Sequence, residues 1–125
     1  MNIPHEIKEY REYPAWIKRV IDGDTVEALI DMGFGIKYKT KLRFYDFNAP
    51  ETWRPSCKEE RELGLKAKKY LIDNIEKKTV LLRTHKTGKY GRVLAEVFLG
   101  DRDIIQELKD LNLTKEWFEK VVLRE

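Results

Sequence analysis

The chain has 125 residues, 42% of them apolar and 38% charged, with 25 basic against 22 acidic side chains. This suits one folded domain that buries roughly two-thirds of its unfolded surface. It is too apolar for a disordered chain and too evenly charged for net charge alone to mark a nucleic-acid binder. A single cysteine, Cys57, excludes an internal disulfide framework and a multi-cysteine zinc site, and two histidines argue against a His-rich metal centre. No apolar run reaches the ~18–20 residues of a membrane span.

Residues 1–13 are polar, end just before Pro14, and read as an N-terminal arm ahead of a domain over 14–125. They hold no apolar stretch of the secretory-signal kind, so a cytoplasmic or mobile-element-encoded protein is expected. Residues 16–21 and 25–30 read as two strands joined at Asp22-Gly23-Asp24, an Asp-Gly hairpin signal in which the glycine is expected to take a positive φ. Gly33 and Gly35 flank a second turn. Residues 36–43 then alternate Lys37, Lys39, Lys41 and Arg43 with Ile36, Tyr38 and Leu42, giving a strand with one basic face and one core face. Asn48-Ala49-Pro50 ends that run.

After a loop over 51–56, Ser56 and Glu59 have the spacing of a capping box. Leu63, Ala67, Tyr70, Leu71 and Asn74 recur at helical spacing, predicting a helix over about 57–75 that Gly64 weakens locally. Residues 79–83 and 93–99 read as two further strands, separated by a basic, glycine-containing loop. Asp103 with Gln106 opens a second helix that Asn112 ends in the left-handed region, and Thr114 opens a third. Five short strands, tight turns and three helices give an α+β class: a five-stranded OB-fold β-barrel with three α-helices.

Three stretches could carry chemistry. Asp22-Gly23-Asp24-Thr25, taken alone, reads as a turn, although paired carboxylates also offer hard oxygen ligands to Ca²⁺ or Mg²⁺. Residues 43–51 place Arg43, Asn48 and Glu51 around one strand end. Arginine matches phosphate oxygens bidentately, and a carboxylate nearby can take a proton from water. Between Glu76 and Arg92 six Lys or Arg residues face one acid; such a run usually is a solvated loop, although Gly88, Gly91, Tyr90 and Arg92, with Lys86 and Lys89 among them, also suit a phosphate clamp with a stacking ring. His85 at its start reads as a strand-end residue rather than a catalyst.

The ordered set Val20-Ile21-Asp22-Gly23-Asp24-Thr25-Val26, Leu42-Arg43, Asn48-Ala49-Pro50-Glu51 and Lys89-Tyr90-Gly91-Arg92 resembles the staphylococcal-nuclease-like (thermonuclease) family over roughly residues 14–120. The resemblance implies Ca²⁺-dependent hydrolysis of phosphodiester bonds in DNA and RNA. It implies Asp24, Asn48 and the Ala49 carbonyl as metal ligands, with Asp22 an acid beside the metal. Arg43 and Arg92 would hold the phosphate and Glu51 would act as general base. Lys86, Lys89, Tyr90 and Trp117 or Phe118 would lie along the nucleic acid, and Lys37, Lys39 and Lys41 would steer the polyanion.

One position departs from the family pattern. Asn48 stands where the family has a second metal-binding aspartate, which removes a negative charge and weakens cation binding. In a regular strand Asp46 would share a face with Asn48 and could restore that charge, whereas a bulge would turn it away. The expected protein is thus a monomeric nuclease acting on DNA or RNA without membrane association. The alternatives are a barrel of the same kind that binds nucleic acid without cutting it, favoured by Asn48, and a protein-interaction domain, for which no motif speaks.

Overall fold

A computed structural model describes residues 11–85 and 92–122. Its strands are β1 (Arg11–Asp22), β2 (Thr25–Gly33), β3 (Ile36–Phe44), β4 (Thr79–Thr84), β5 (Val93–Leu99) and the two-residue β6 (Arg102–Asp103). Its helices are α1 (Lys58–Asn74), α2 (Ile104–Asp110) and a short α3 (Lys115–Trp117) that widens into a π-helical turn over Phe118–Val122.

Antiparallel pairing gives the order β3-β2-β1-β4-β5-β6, and parallel pairing of Leu42–Phe44 with Val93–Ala95 brings β3 against β5. The result is a closed, mixed, five-stranded barrel with β6 beside the end of β5, as the OB-fold expectation required. Closure needs strongly coiled strands. β1 supplies them with register shifts between Ile17 and Arg19 and between Val20 and Asp22. Alternation then points Ile17, Val26, Ala28, Ile30, Leu42, Phe44, Leu82, Ala95 and Val97 inward, while Ala67, Leu71 and Ile75 of α1 and Ile104 and Leu108 of α2 cover the barrel.

Several local expectations change. β1 begins at Arg11, because Arg11, Glu12 and Tyr13 pair with β4; Pro14 is tolerated because pairing with β2 begins only at Ala15. The helix over 57–75 forms, but the capping box does not: Cys57 is the N-cap and makes no side-chain capping bond, and Glu60 rather than Glu59 accepts from the Ser56 N–H. The third helix has a single α turn. Phe118 is fully buried, and the chain widens there into the π form. The caps at Asp103 and Thr114 form as expected, accepting from the N–H groups of Gln106 (3.1 Å) and Trp117 (3.0 Å), and Asn112 has a φ of 60°.

Candidate active site

The β1–β2 turn sits at one end of the barrel with α1 across it. Gly23 is buried there and does not adopt a positive φ. Glycine is required by close approach: an added Cβ would stand 2.8 Å from the Ala49 Cβ and 2.9 Å from the Ala67 Cβ. This packing fixes both flanking carboxylates. Asp22 Oδ1 accepts from the Gly23 N–H (2.9 Å) and the Thr52 hydroxyl (3.1 Å). Asp24 is buried; Oδ1 accepts from the Thr25 hydroxyl (3.0 Å) and Oδ2 from the Ala49 N–H (3.1 Å).

β3 brings Arg43 to this turn as the cross-strand partner of Thr25. Its Nη2 lies 3.3 Å from Asp24 Oδ2 and donates to Asn48 Oδ1 at 2.5 Å. The guanidinium is therefore held between a carboxylate and an amide, partly open to solvent. The Asn48 side-chain amide in turn donates to Glu116 Oε1 (3.3 Å), and the Asn48 backbone carbonyl accepts from the Lys115 N–H (2.9 Å), so the start of α3 supports the same segment.

Glu51 follows Pro50. Its backbone N–H donates to Glu60 Oε2 (3.1 Å), while Oε1 accepts weakly from the Trp53 N–H (3.4 Å). Glu60 is only 1% exposed, and its Oε1 also accepts from the Ser56 N–H (2.7 Å). Burial opposes the charge of Glu60, but the Ser56 and Glu51 N–H groups, the Ser56 hydroxyl and Lys115 outweigh it and hold the carboxyl below its ordinary range. Lys115 Nζ lies 3.3 Å from Glu60 Oε2. Gly64 on α1 lets this loop approach, since an added Cβ would meet the Pro50 carbonyl oxygen at 2.6 Å.

Asp22, Asp24, Arg43, Asn48, Ala49, Glu51 and Lys115 line a single cavity of about 370 Å³. Six of these seven were expected at the site from the sequence. Lys115, Glu60 and Thr52 were not. Their roles depend on contacts between distant parts of the chain, and only the buried charge of Glu60 on an otherwise apolar helix face hints at one of them.

Other expected residues lie elsewhere. Asp46 has a φ of 53°, so the strand turns as a bulge would turn it; the carboxylate points to Lys109 Nζ (3.7 Å) and lines a different, smaller cleft. It does not restore the missing charge. Trp117 lines an apolar groove of about 510 Å³ between α1 and the chain that follows α2, and Phe118 is in the core, so neither borders the carboxylate cavity. Arg92 is exposed just before β5 and is not among the described residues of the cavity wall. Lys86, Lys89 and Tyr90 lie outside the described residues. His85 closes β4 as expected, its Nε2 2.8 Å from Glu96 Oε2 and its ring stacked on Tyr45.

Among the described residues no three His, Cys, Asp or Glu side chains are grouped to hold a metal by themselves. The cavity wall nevertheless offers oxygen donors: the Asp24 carboxylate, the Asn48 amide oxygen and the Ala49 peptide. That donor set suits a hard divalent cation, with one carboxylate fewer than two aspartates would give and with Arg43 already resting on both side chains.

Fold and cavity together define a small closed mixed β-barrel with a guanidinium set among carboxylates and an amide at one end. The chain belongs to the staphylococcal nuclease homologue family, whose pattern matches residues 41–114. It is 30% identical over 92 residues to Protein ParB of Escherichia coli, covering 69% of this chain and 45% of that protein. It is 32% identical over 93 residues to Endonuclease YhcR of Bacillus subtilis (strain 168), covering 69% of this chain and 7% of that protein. The chain thus spans less than half the length of either relative. No helix among the described residues is long and apolar enough to cross a membrane.

Proposed function

We propose that the protein is a Ca²⁺-dependent nuclease that hydrolyses phosphodiester bonds of DNA and RNA. The observation that carries this reading is that Asp24, Arg43, Asn48 and Glu51, from separate parts of a chain of this family, border one cavity. Asp24, Asn48 and the Ala49 carbonyl would hold the cation, with Asp22 beside it. When bound, Ca²⁺ supplies positive charge to a phosphoryl oxygen.

The chain's own groups do the rest. A phosphodiester is anionic and repels an incoming hydroxide. Arg43 binds a non-bridging oxygen, more tightly as charge builds on the phosphorus oxygens. Glu51 accepts a proton from water as the water oxygen bonds to phosphorus and the bond to the leaving oxygen breaks, and the leaving oxygen takes a proton from solvent to become the hydroxyl of the released end. The backbone bond to Glu60 fixes the main chain at Glu51, and its carboxylate, held among the described residues only by the long Trp53 N–H contact, lines the cavity.

The test is cleavage of a plasmid and an RNA with Ca²⁺, with Mg²⁺ and with excess EGTA. Glu51→Gln is expected to lose on the order of 10²–10⁴ in rate at an unchanged melting temperature. Undiminished cutting in EGTA overturns the Ca²⁺ dependence. A second reading, binding without turnover, is favoured by the neutral Asn48 against Arg43. It wins if nucleic acid binds salt-sensitively and is not cut at millimolar Ca²⁺.

A further inference from the structure

A row of cations leads away from the cavity along β3. Alternation puts Lys37, Lys39, Lys41 and Arg43 on the outer face of the barrel, opposite Asp31, Leu29, Glu27 and Thr25 of β2. β1 continues that surface, with Trp16 across Leu29 and Arg19 across Glu27. Glu27 is shared by Lys18 (3.5 Å), Arg19 (3.5 Å) and Lys39 (3.8 Å), and Lys37 pairs with Asp31 (3.1 Å). Lys41 has no acid partner among the described residues. Five cations therefore surround two acids on a face that ends at Arg43.

Two features select a nucleic-acid strand as the occupant. Alternate residues of a strand are about 6.8 Å apart, so Lys39 and Lys41 can each meet a different phosphate of one extended strand. Trp16 is also 41% exposed and, with Leu29 and Lys37, walls a shallow cleft of about 160 Å³ on the same face. An exposed indole beside cations is the arrangement on which an unpaired base stacks.

We propose that the outer face of β1–β3 is a track for one single strand of nucleic acid. Lys39 and Lys41 contact phosphates on the way from the cavity, and Trp16 stacks a base. This rests on the nuclease reading and adds the direction in which the strand leaves the site. The competing role for these lysines is to guard the open edge of β3, which pairs with β5 only from Leu42 onward.

The test measures binding of a labelled single-stranded oligonucleotide with uncleavable linkages, by anisotropy, across a series of salt concentrations. The Lys39→Gln/Lys41→Gln variant is expected to lower the slope of log K against log salt by about 1.4, at ~0.7 per lost phosphate contact. Trp16→Ala is expected to weaken binding by about tenfold at an unchanged slope. Wild-type protein that cuts a dinucleotide and binds the strand, with variants that keep its slope and affinity, overturns the track while leaving the nuclease reading intact. A lysine variant that self-associates with its slope unchanged overturns it in favour of edge protection. Wild-type protein that neither binds nor cuts overturns both.

Discussion

Asn48 shows how far one atom pair changes a site. Its amide oxygen accepts from Arg43 Nη2, and Asp24 Oδ2 accompanies it, so the guanidinium neutralises the only carboxylate of the expected ligand set. Asp46, the nearest acid in sequence, is committed to Lys109. Restoring a charge at position 48 should therefore be felt directly. Asn48→Asp is expected to reduce the Ca²⁺ concentration needed for half-maximal cleavage several-fold, because a second carboxylate joins a hard-cation site. Calcium titration of activity, or of the melting temperature, measures this, and an unchanged midpoint refutes it. The presence of asparagine was legible in the sequence. Its bond to Arg43 was not, since that depends on the path of the loop after β3.

At the scale of elements, α1 and the loop before it act together. A glycine inside a helix ordinarily costs ~1 kcal/mol relative to alanine. On propensity alone Gly64→Ala would stabilise. The structure reverses the sign, because the new methyl would lie 2.5 Å from the Thr52 Cγ2 and 2.6 Å from the Pro50 carbonyl oxygen. Overpacking of this kind costs about 1–3 kcal/mol, and the displaced loop carries Glu51. The variant is expected to be less stable than wild type and to cut more slowly; denaturant unfolding and a cleavage assay check both. The capping of α1 follows the same pattern. Ser56 and Glu59 have suitable local spacing, yet Glu60 takes the Ser56 N–H because it must also bind Glu51 and Lys115.

Across the whole molecule, helices and barrel are tied by a polar cluster away from the cavity. Arg102 donates to Glu107 through Nε (2.8 Å) and Nη2 (2.7 Å) and to Asn74 Oδ1 (2.9 Å), and the Tyr70 hydroxyl donates to Glu107. The cluster joins α1, β6 and α2. The Arg102 hydrogen bonds, followed by that of Tyr70, lower the Glu107 carboxyl from 4.5 to about 2. A depressed carboxyl stabilises the fold at pH above its unfolded value, and that contribution fades as pH falls through the folded one. Glu107→Gln is expected to melt below wild type at neutral pH, with the gap closing between pH 4.5 and about 2. Melting curves across that range check it; a gap independent of pH would place the contribution in packing instead of charge.

The sequence by itself determined what near neighbours control. Period-two and helical spacing marked five strands and the main helices, Asp103, Thr114 and Asn112 marked their ends, and the ordered motifs named Asp22, Asp24, Arg43, Asn48 and Glu51 of the cavity. Tertiary structure decided what distant neighbours control. It decided that β3 closes on β5, that Gly23 and Gly64 serve close approach, and that Asp46 turns out to Lys109. It also brought Glu60 and Lys115 under the loop and put Trp117 in a separate groove. The physical reason is range. Backbone propensity and capping act within a turn or a strand pair, whereas the position of one polar group beside another 68 residues away, as at Asn48 and Glu116, or 55 residues away, as at Glu60 and Lys115, depends on how the whole barrel packs.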